Sequence, residues 1–143
     1  MTQEEKKLLF QDLSARLPYG VKVLDNSHKN YGPSKLINIG VDGSMLIDNE
    51  INDIQYYPII DETKPYLRPL SSMTEDENKE AKENGCIIYC DTSPEDKGLL
   101  VFASPKGFDW LNKKMFDYRK DDEGKTMIEK GLALETPEGM YKV

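Results

Sequence analysis

A hairpin signal in the first half of the chain is the feature that most constrains the fold. Apolar and polar residues alternate up to Asp42-Gly43, and a second apolar run, residues 44–47, follows directly. An Asp-Gly pair between two such runs is typical of a two-residue turn whose glycine has positive φ. The pattern therefore predicts an antiparallel hairpin with Gly43 at positive φ and Ile39 opposite Leu46.

Further strand-like segments lie on both sides of this hairpin. Residues 21–24 precede it and residues 50–60 follow it, and each apolar run is bounded by glycine, proline or polar residues. Residues 21–60 therefore predict a small antiparallel β-meander of three or four short strands. That number of strands can also curl into a partly closed barrel.

The N-terminal residues predict an amphipathic helix. Thr2 and Glu5 have the spacing of a capping box, and apolar residues then fall on one helical stripe before Pro18. We therefore expect a helix over residues 3–16 with one apolar face.

Residues 74–131 predict three shorter helical segments. Thr74 opens a polar segment with a second capping box, Ser104 opens one with an apolar stripe, and residues 126–130 give a single turn. Ala81 is the sole apolar member of the first segment, so we expect that helix to be exposed. With the N-terminal helix and the meander, these short C-terminal helices predict an α+β fold.

The two cysteines flank an apolar run that predicts a strand, and residues 99–103 predict its hairpin partner. On one strand the Cα atoms of Cys86 and Cys90 would lie about 13 Å apart, beyond the limit of about 7 Å for a disulfide. His28 is the one histidine that could add a soft metal ligand. We therefore expect two free thiols and no zinc site.

Residues 64–72 contain two prolines and predict an extended strap rather than a helix. Because proline has no N–H to donate, we expect the strap to be held by side chains and not to pair as a central strand. Tyr66 and Leu67 should pack inward. Arg68 should meet an acidic neighbour or a partner.

Composition excludes several classes of protein. The 143 residues carry 26 acidic and 19 basic side chains, a net charge of −7, so we predict no nucleic-acid partner. No apolar run approaches the roughly 18 residues of a membrane span, and the N-terminus is unlike a signal peptide. We therefore expect a single domain, residues 1–143, in the cytoplasm and without membrane association.

The sequence lacks the motifs that organise catalysis. His28 lies in a polar loop, and no Gly-x-Ser-x-Gly elbow exists for it to activate. Glycine-rich phosphate loops are also missing, and the acidic clusters lack the order of a calcium loop. We therefore predict a non-enzymatic protein without cofactor or metal.

Aromatic residues supply the candidate binding surface. Exposed tyrosine, tryptophan and arginine are typical of binding hot spots, and the short helix after Ser104 carries more aromatic residues than one apolar face can bury. The alternative is that Trp110 and Phe116 pack as ordinary core. The candidate surface consists of Tyr57, Tyr66, Arg68, Trp110, Phe116 and Arg119.

Five stretches of sequence carry a resemblance to a known group: residues 15–23, 64–75, 108–111, 116–119 and 131–141. They resemble proteins of unassigned function found in prophages and mobile elements of Bacteroides and its relatives. The resemblance covers nearly the whole chain, with residues 120–127 as a local insertion. It implies an accessory protein of a phage or integrated element, and it brings no activity, cofactor or site residue.

Two functions are consistent with this sequence. The first is an interaction module that docks on a host or phage protein. The alternative is a small-molecule-binding or sequestering protein that acts against host defence. A flat aromatic patch would favour the first function, and a deep cleft ringed by lysine or arginine would favour the second.

Overall fold

The structure is a computed structural model that describes residues 2–40, 42, 44–90, 99–121, 123–137 and 139–141, with backbone alone for 88–90 and 99–100. The helices are α1 (Gln3–Arg16), α2 (Glu75–Glu83) and α3 (Pro105–Lys113). The strands are β1 (Lys22–Asp25), β2 (Ser34–Ile39), β3 (Met45–Asn49), β4 (Ile54–Tyr56), β5 (Thr63–Pro69), β6 (Cys86–Cys90), β7 (Leu99–Ala103), β8 (Phe116–Asp117) and β9 (Leu134–Glu135).

Seven strands form one open sheet. The strand order is β4-β3-β2-β1-β5, and both β8 and β9 pair with β5. Strands β1 to β4 are consecutive antiparallel neighbours, which confirms the predicted meander and the α+β class. The sheet does not close into a barrel.

The hairpin between β2 and β3 differs from the predicted register. Ile39 lies opposite Met45 rather than Leu46. Met45 is buried, so this register keeps the partly buried Ile39 on the core side of the sheet. Gly43, whose φ was predicted to be positive, lies outside the described residues.

A β-bulge in β2 explains which of its side chains face the core. The pairing with β3 shifts by one residue between Leu36 and Asn38. Because the bulge inserts an extra residue, Leu36 and Ile39 both face the core although they are three positions apart. Ile37, which the alternating pattern placed beside Ile39, is exposed instead.

Helix α1 has the predicted bounds and both halves of the predicted capping box. The N–H of Glu5 donates to the Thr2 hydroxyl at 3.1 Å, and the Thr2 N–H donates to the Glu5 carboxylate at 3.0 Å. Leu9 and Leu13 are fully buried in the main core, which also contains side chains of β1, β2, β3 and β5. The helix therefore packs on one face of the sheet.

A second cluster of buried side chains lies under α2, α3 and the β6–β7 hairpin. Ala81 supplies the buried contact of α2, whose other residues are mostly exposed, as predicted. Cys86 is a free, buried thiol, and burial raises its pKa. The hairpin pairing is confirmed, while the side chain of Cys90 lies outside the described part of the chain.

The prediction of an unpaired strap over residues 64–72 is wrong. The segment contains β5, which lies between β1 on one side and β8 and β9 on the other. On the side of β8 and β9, residues between the two prolines make the hydrogen bonds: the Arg68 N–H donates to Met115 at 2.7 Å, and the Leu67 carbonyl accepts from Thr136 at 2.8 Å. On the side of β1, residues 63–65 form the pairing, so Pro65 itself lies in the register. The missing proline donors therefore do not interrupt these contacts.

Of the two C-terminal helical segments, the one after Ser104 is shorter than the sequence predicts. Helix α3 ends at Lys113, because Met115 has a φ of 63° and the chain turns into β8. Residues 126–131 form hydrogen-bonded turns, with the Lys130 N–H donating to Thr126 at 3.0 Å. Gly131 follows with a φ of 75°, so this single turn ends at the residue that the sequence predicts.

Candidate functional site

The structure separates the six predicted surface residues. Arg68, Trp110 and Phe116 form a stack beside α2, whereas Arg119 belongs to a buried network near α1. Tyr66 is half-buried on the opposite face of β5 from the fully buried Leu67, because successive side chains on a strand alternate. The remaining residue, Tyr57, follows the edge strand β4. These residues therefore do not form one surface.

The Arg68 stack is structural. The Arg68 guanidinium carbon lies 4.2 Å from the ring centroid of Phe116, and both terminal nitrogens donate to the Glu77 carboxylate at 2.7 and 2.6 Å. Trp110 stacks on Phe116 and donates to Glu80 at 2.9 Å. Burial removes Trp110 and Phe116 from any docking surface, and Arg68 has the acidic neighbour predicted for it.

A cleft of about 500 Å³ lies beside this stack. Its polar lining includes the paired Arg68 and Glu77, and it also contains Thr136, whose hydroxyl is buried without a hydrogen-bond partner in the described part of the chain. Arg68 is the sole lysine or arginine among the described lining residues, and Glu77 already neutralises it. The cleft is therefore not a ring of available cations.

The Arg119 network ties α1 to α3. The Arg119 guanidinium donates to Asp12 at 2.6 Å and to Asn112 at 3.0 Å. Asp12 also accepts from the fully buried Arg16 at 3.0 Å, and Arg16 donates to the backbone carbonyl of Phe116. These groups use each other as partners, so Arg119 has a structural role here.

The edge of the sheet at β4 carries the most exposed apolar side chains. Strand β4 pairs with β3, and no described strand pairs with its other side. Among the described large apolar residues, the three most exposed are Ile51 (83%), Tyr57 (73%) and Ile59 (66%), and all three flank β4. Tyr57 was predicted from its residue type, whereas Ile51 and Ile59 were missed because isoleucine in a strand-like run indicates core.

The same edge is acidic. Residues 48–62, hereafter the acidic edge, include five carboxylates and no lysine or arginine: Asp48, Glu50, Asp53, Asp61 and Glu62. Lys6 from α1 approaches Asp61 at 3.5 Å, an exposed contact worth little. In the described part of the chain, Glu50, Asp53 and Glu62 have no ion-pair partner. The acidic edge therefore combines exposed apolar side chains with uncompensated negative charge.

A polar cluster behind the acidic edge holds β4 in place. The Tyr56 hydroxyl donates to Asp25 at 2.8 Å, and the His28 ring nitrogen Nδ1 lies 3.0 Å from the same carboxylate oxygen. His28 stacks on Tyr31 with ring centroids 5.0 Å apart. From the sequence, His28 was interpreted as an exposed loop residue. Its position three residues after Asp25 could have indicated this contact, because Asp25 also accepts from the N–H of Ser27 in the same turn.

The electrostatics of this cluster support an anchoring role. Burial raises the pKa of Asp25, but hydrogen bonds from His28, Tyr56 and Ser27 outweigh burial and hold that pKa below its ordinary value. Burial and the neighbouring carboxylate raise the pKa of Tyr56. The buried Asp25 carboxylate is therefore charged at neutral pH and remains an acceptor for the β4 hydroxyl.

Two other kinds of feature are missing from the described residues. In the part of the chain that the structure describes, no three acidic, histidine or cysteine side chains are placed to hold a metal ion. None of the described helices combines the length and apolar character of a membrane span. No family model, curated protein or solved structure matches this chain.

Proposed function

We propose that this chain is a non-enzymatic protein-interaction module, and that it serves in the cytoplasm as an accessory protein of a phage or mobile element. The setting rests on the sequence resemblance to such proteins. The interaction role rests on one observation: the three most exposed large apolar side chains of the described residues all flank one unpaired sheet edge. A partner that covers them removes apolar surface from water.

The free energy gained when a partner buries these side chains is large enough for a binding surface. Full burial of an exposed isoleucine or tyrosine-sized side chain contributes roughly 1.5–3 kcal/mol. Tyrosine is also among the residues that dominate measured interface energies. Ile51, Tyr57 and Ile59 contribute little to the fold of the chain itself, because most of each side chain is in solvent. Their burial by a partner would therefore be gained on binding.

The alternative of a small-molecule-binding or sequestering protein has weaker support. The cleft beside Arg68 has the volume of a ligand pocket, but the Arg68 guanidinium already pairs with Glu77 and stacks on Phe116. A ligand there would have to displace that ion pair or bind through the hydroxyl of Thr136. The geometry favours the interaction module.

Capture from host-cell lysate by the immobilised full chain tests this function. We expect proteins retained by the wild type to be lost with the double variant Tyr57→Ser, Ile59→Ser. The matched control is Ile87→Ser, which removes an apolar side chain of similar exposure (58%) from the β6–β7 hairpin. Circular dichroism verifies that the variants are folded. Retention that is unchanged in the double variant would refute the proposed function.

A further inference from the structure

On the basis of this proposed function, we infer that the acidic edge binds an extended, basic segment of another protein, which pairs with β4 as an added strand. The occupant is a peptide segment in which lysine or arginine alternates with apolar residues. Three observations carry the inference: the unpaired edge, its charge and its pre-organisation.

The sheet topology leaves backbone hydrogen-bonding groups of β4 available to an added strand. Strand β4 is the last strand of a meander, with β3 on one side and no described strand on the other. Outward-facing N–H and C=O groups of an edge strand bind an extended chain through main-chain hydrogen bonds. Pro58 follows β4 closely, so the paired region is short and the flanking apolar side chains must add affinity.

The charge selects the occupant. Two copies of this chain that met through β4 would bring two acidic edges together, and like charges near paired strands are unfavourable. A basic segment instead gains attraction from the same carboxylates and is steered toward them. The acidic edge therefore disfavours a second copy and favours a basic partner.

The polar cluster behind β4 prepares the edge for binding. The Tyr56 hydroxyl donates to the buried Asp25, which also contacts His28, so the C-terminal end of β4 is held by the fold. An edge that is already ordered loses less conformational entropy when it binds. Tyr57, the next residue, stays exposed beside this fixed strand.

The test uses isotope-labelled full chain and three synthetic twelve-residue peptides. The first alternates lysine and valine, the second replaces lysine by glutamate, and the third is the lysine peptide N-methylated at alternate residues. We expect the lysine peptide to shift NMR signals of residues 50–62 and to slow amide exchange in β4. The glutamate and N-methylated peptides should bind at least about tenfold more weakly.

A charge-neutral variant separates electrostatics from folding. Glu50→Gln, Asp53→Asn and Glu62→Gln keep side-chain size, and asparagine tolerates the positive φ of 53° at position 53. We expect this variant to bind the lysine peptide about tenfold more weakly than the wild type does. Equal binding of the N-methylated peptide, or signal shifts away from the acidic edge, would overturn the inference. If the lysate capture still depends on Tyr57 and Ile59, the proposed function survives that result.

Discussion

The aromatic residues of this chain differ widely in solvent exposure, which their residue type alone does not indicate. Phe116 is fully buried and Trp110 nearly so, whereas Tyr57 is largely in solvent. Arg68 shows how a charged residue joins a core: its guanidinium lies over Phe116, and its charge is met by Glu77. Arginine suits this position because it combines a flat, stacking face with a two-pronged hydrogen-bonding edge.

The Arg68–Glu77 pair predicts an acid-sensitive contribution to stability. Hydrogen bonds from Arg68 hold the pKa of Glu77 below its ordinary value. Because the folded pKa is lowered, the stabilisation is present above the ordinary glutamate pKa and is lost as pH falls through the folded value. We expect Glu77→Gln to reduce the loss of unfolding free energy below about pH 4.5. Urea titrations of the wild type and the variant from pH 7 to pH 3 measure the unfolding free energy at each pH. The same pH dependence for both proteins would contradict the prediction.

Two elements show how position within the sheet changes the meaning of a sequence. Strand β5 carries two prolines yet lies inside the sheet, because residues between them bond toward β8 and β9 and residues 63–65 pair with β1. Strand β4 carries apolar residues that resemble core and yet forms the edge. The adjacent tyrosines of this edge, Tyr56 and Tyr57, therefore differ in environment and in expected role.

Removing the hydroxyl of Tyr56 tests whether the polar cluster holds β4. Tyr56→Phe leaves the buried Asp25 carboxylate with one donor fewer, so we expect a loss of about 1–2 kcal/mol in unfolding free energy. Amide exchange in β4 should also become faster. The matched control is Tyr57→Phe, whose exposed hydroxyl should change stability by less than about 0.5 kcal/mol. Equal urea midpoints for the two variants would show that the cluster does not anchor the edge.

The described residues form two clusters of buried side chains that a polar network connects. The main core lies between α1 and the sheet, and the second lies under α2, α3 and the β6–β7 hairpin. Asp12 and Arg16 of α1 meet Asn112 of α3 through Arg119, and Arg16 also binds the backbone of β8. The network therefore couples the two clusters.

Deleting the Arg16 side chain tests this coupling. Arg16→Ala removes a fully buried side chain and its hydrogen bonds to Asp12 and to the Phe116 carbonyl, while Asp12 keeps Arg119 as a partner. We expect the cavity and the lost hydrogen bonds to cost about 2–5 kcal/mol. We expect this variant to unfold at a lower temperature than the wild type. Because Trp110 lies in the second cluster, its fluorescence and the helical circular dichroism should change in the same thermal transition. Lys7→Ala, an exposed change on the same helix, serves as control. A Trp110 fluorescence transition that stays at the wild-type temperature in this variant would refute both the coupling of the clusters and the prediction of one domain.

The sequence by itself determined the features that depend on neighbouring residues. The capping boxes of Thr2 and Thr74, the bounds of α1 and the meander all follow from contacts within a few positions. Residue type also indicated Tyr57 as a candidate for binding and an acidic neighbour as one of two partners for Arg68, and the structure exposes the first and pairs the second with Glu77.

Only the tertiary structure decided the features that join distant parts of the chain. The place of β5 depends on pairing with β8 and β9, which follow it by dozens of residues, and the burial of Phe116 depends on Arg68 and Trp110. The acidic edge exists because nothing described pairs with the outer side of β4. A local pattern specifies which strand can form, but the free energy of burial over the whole chain selects its neighbours.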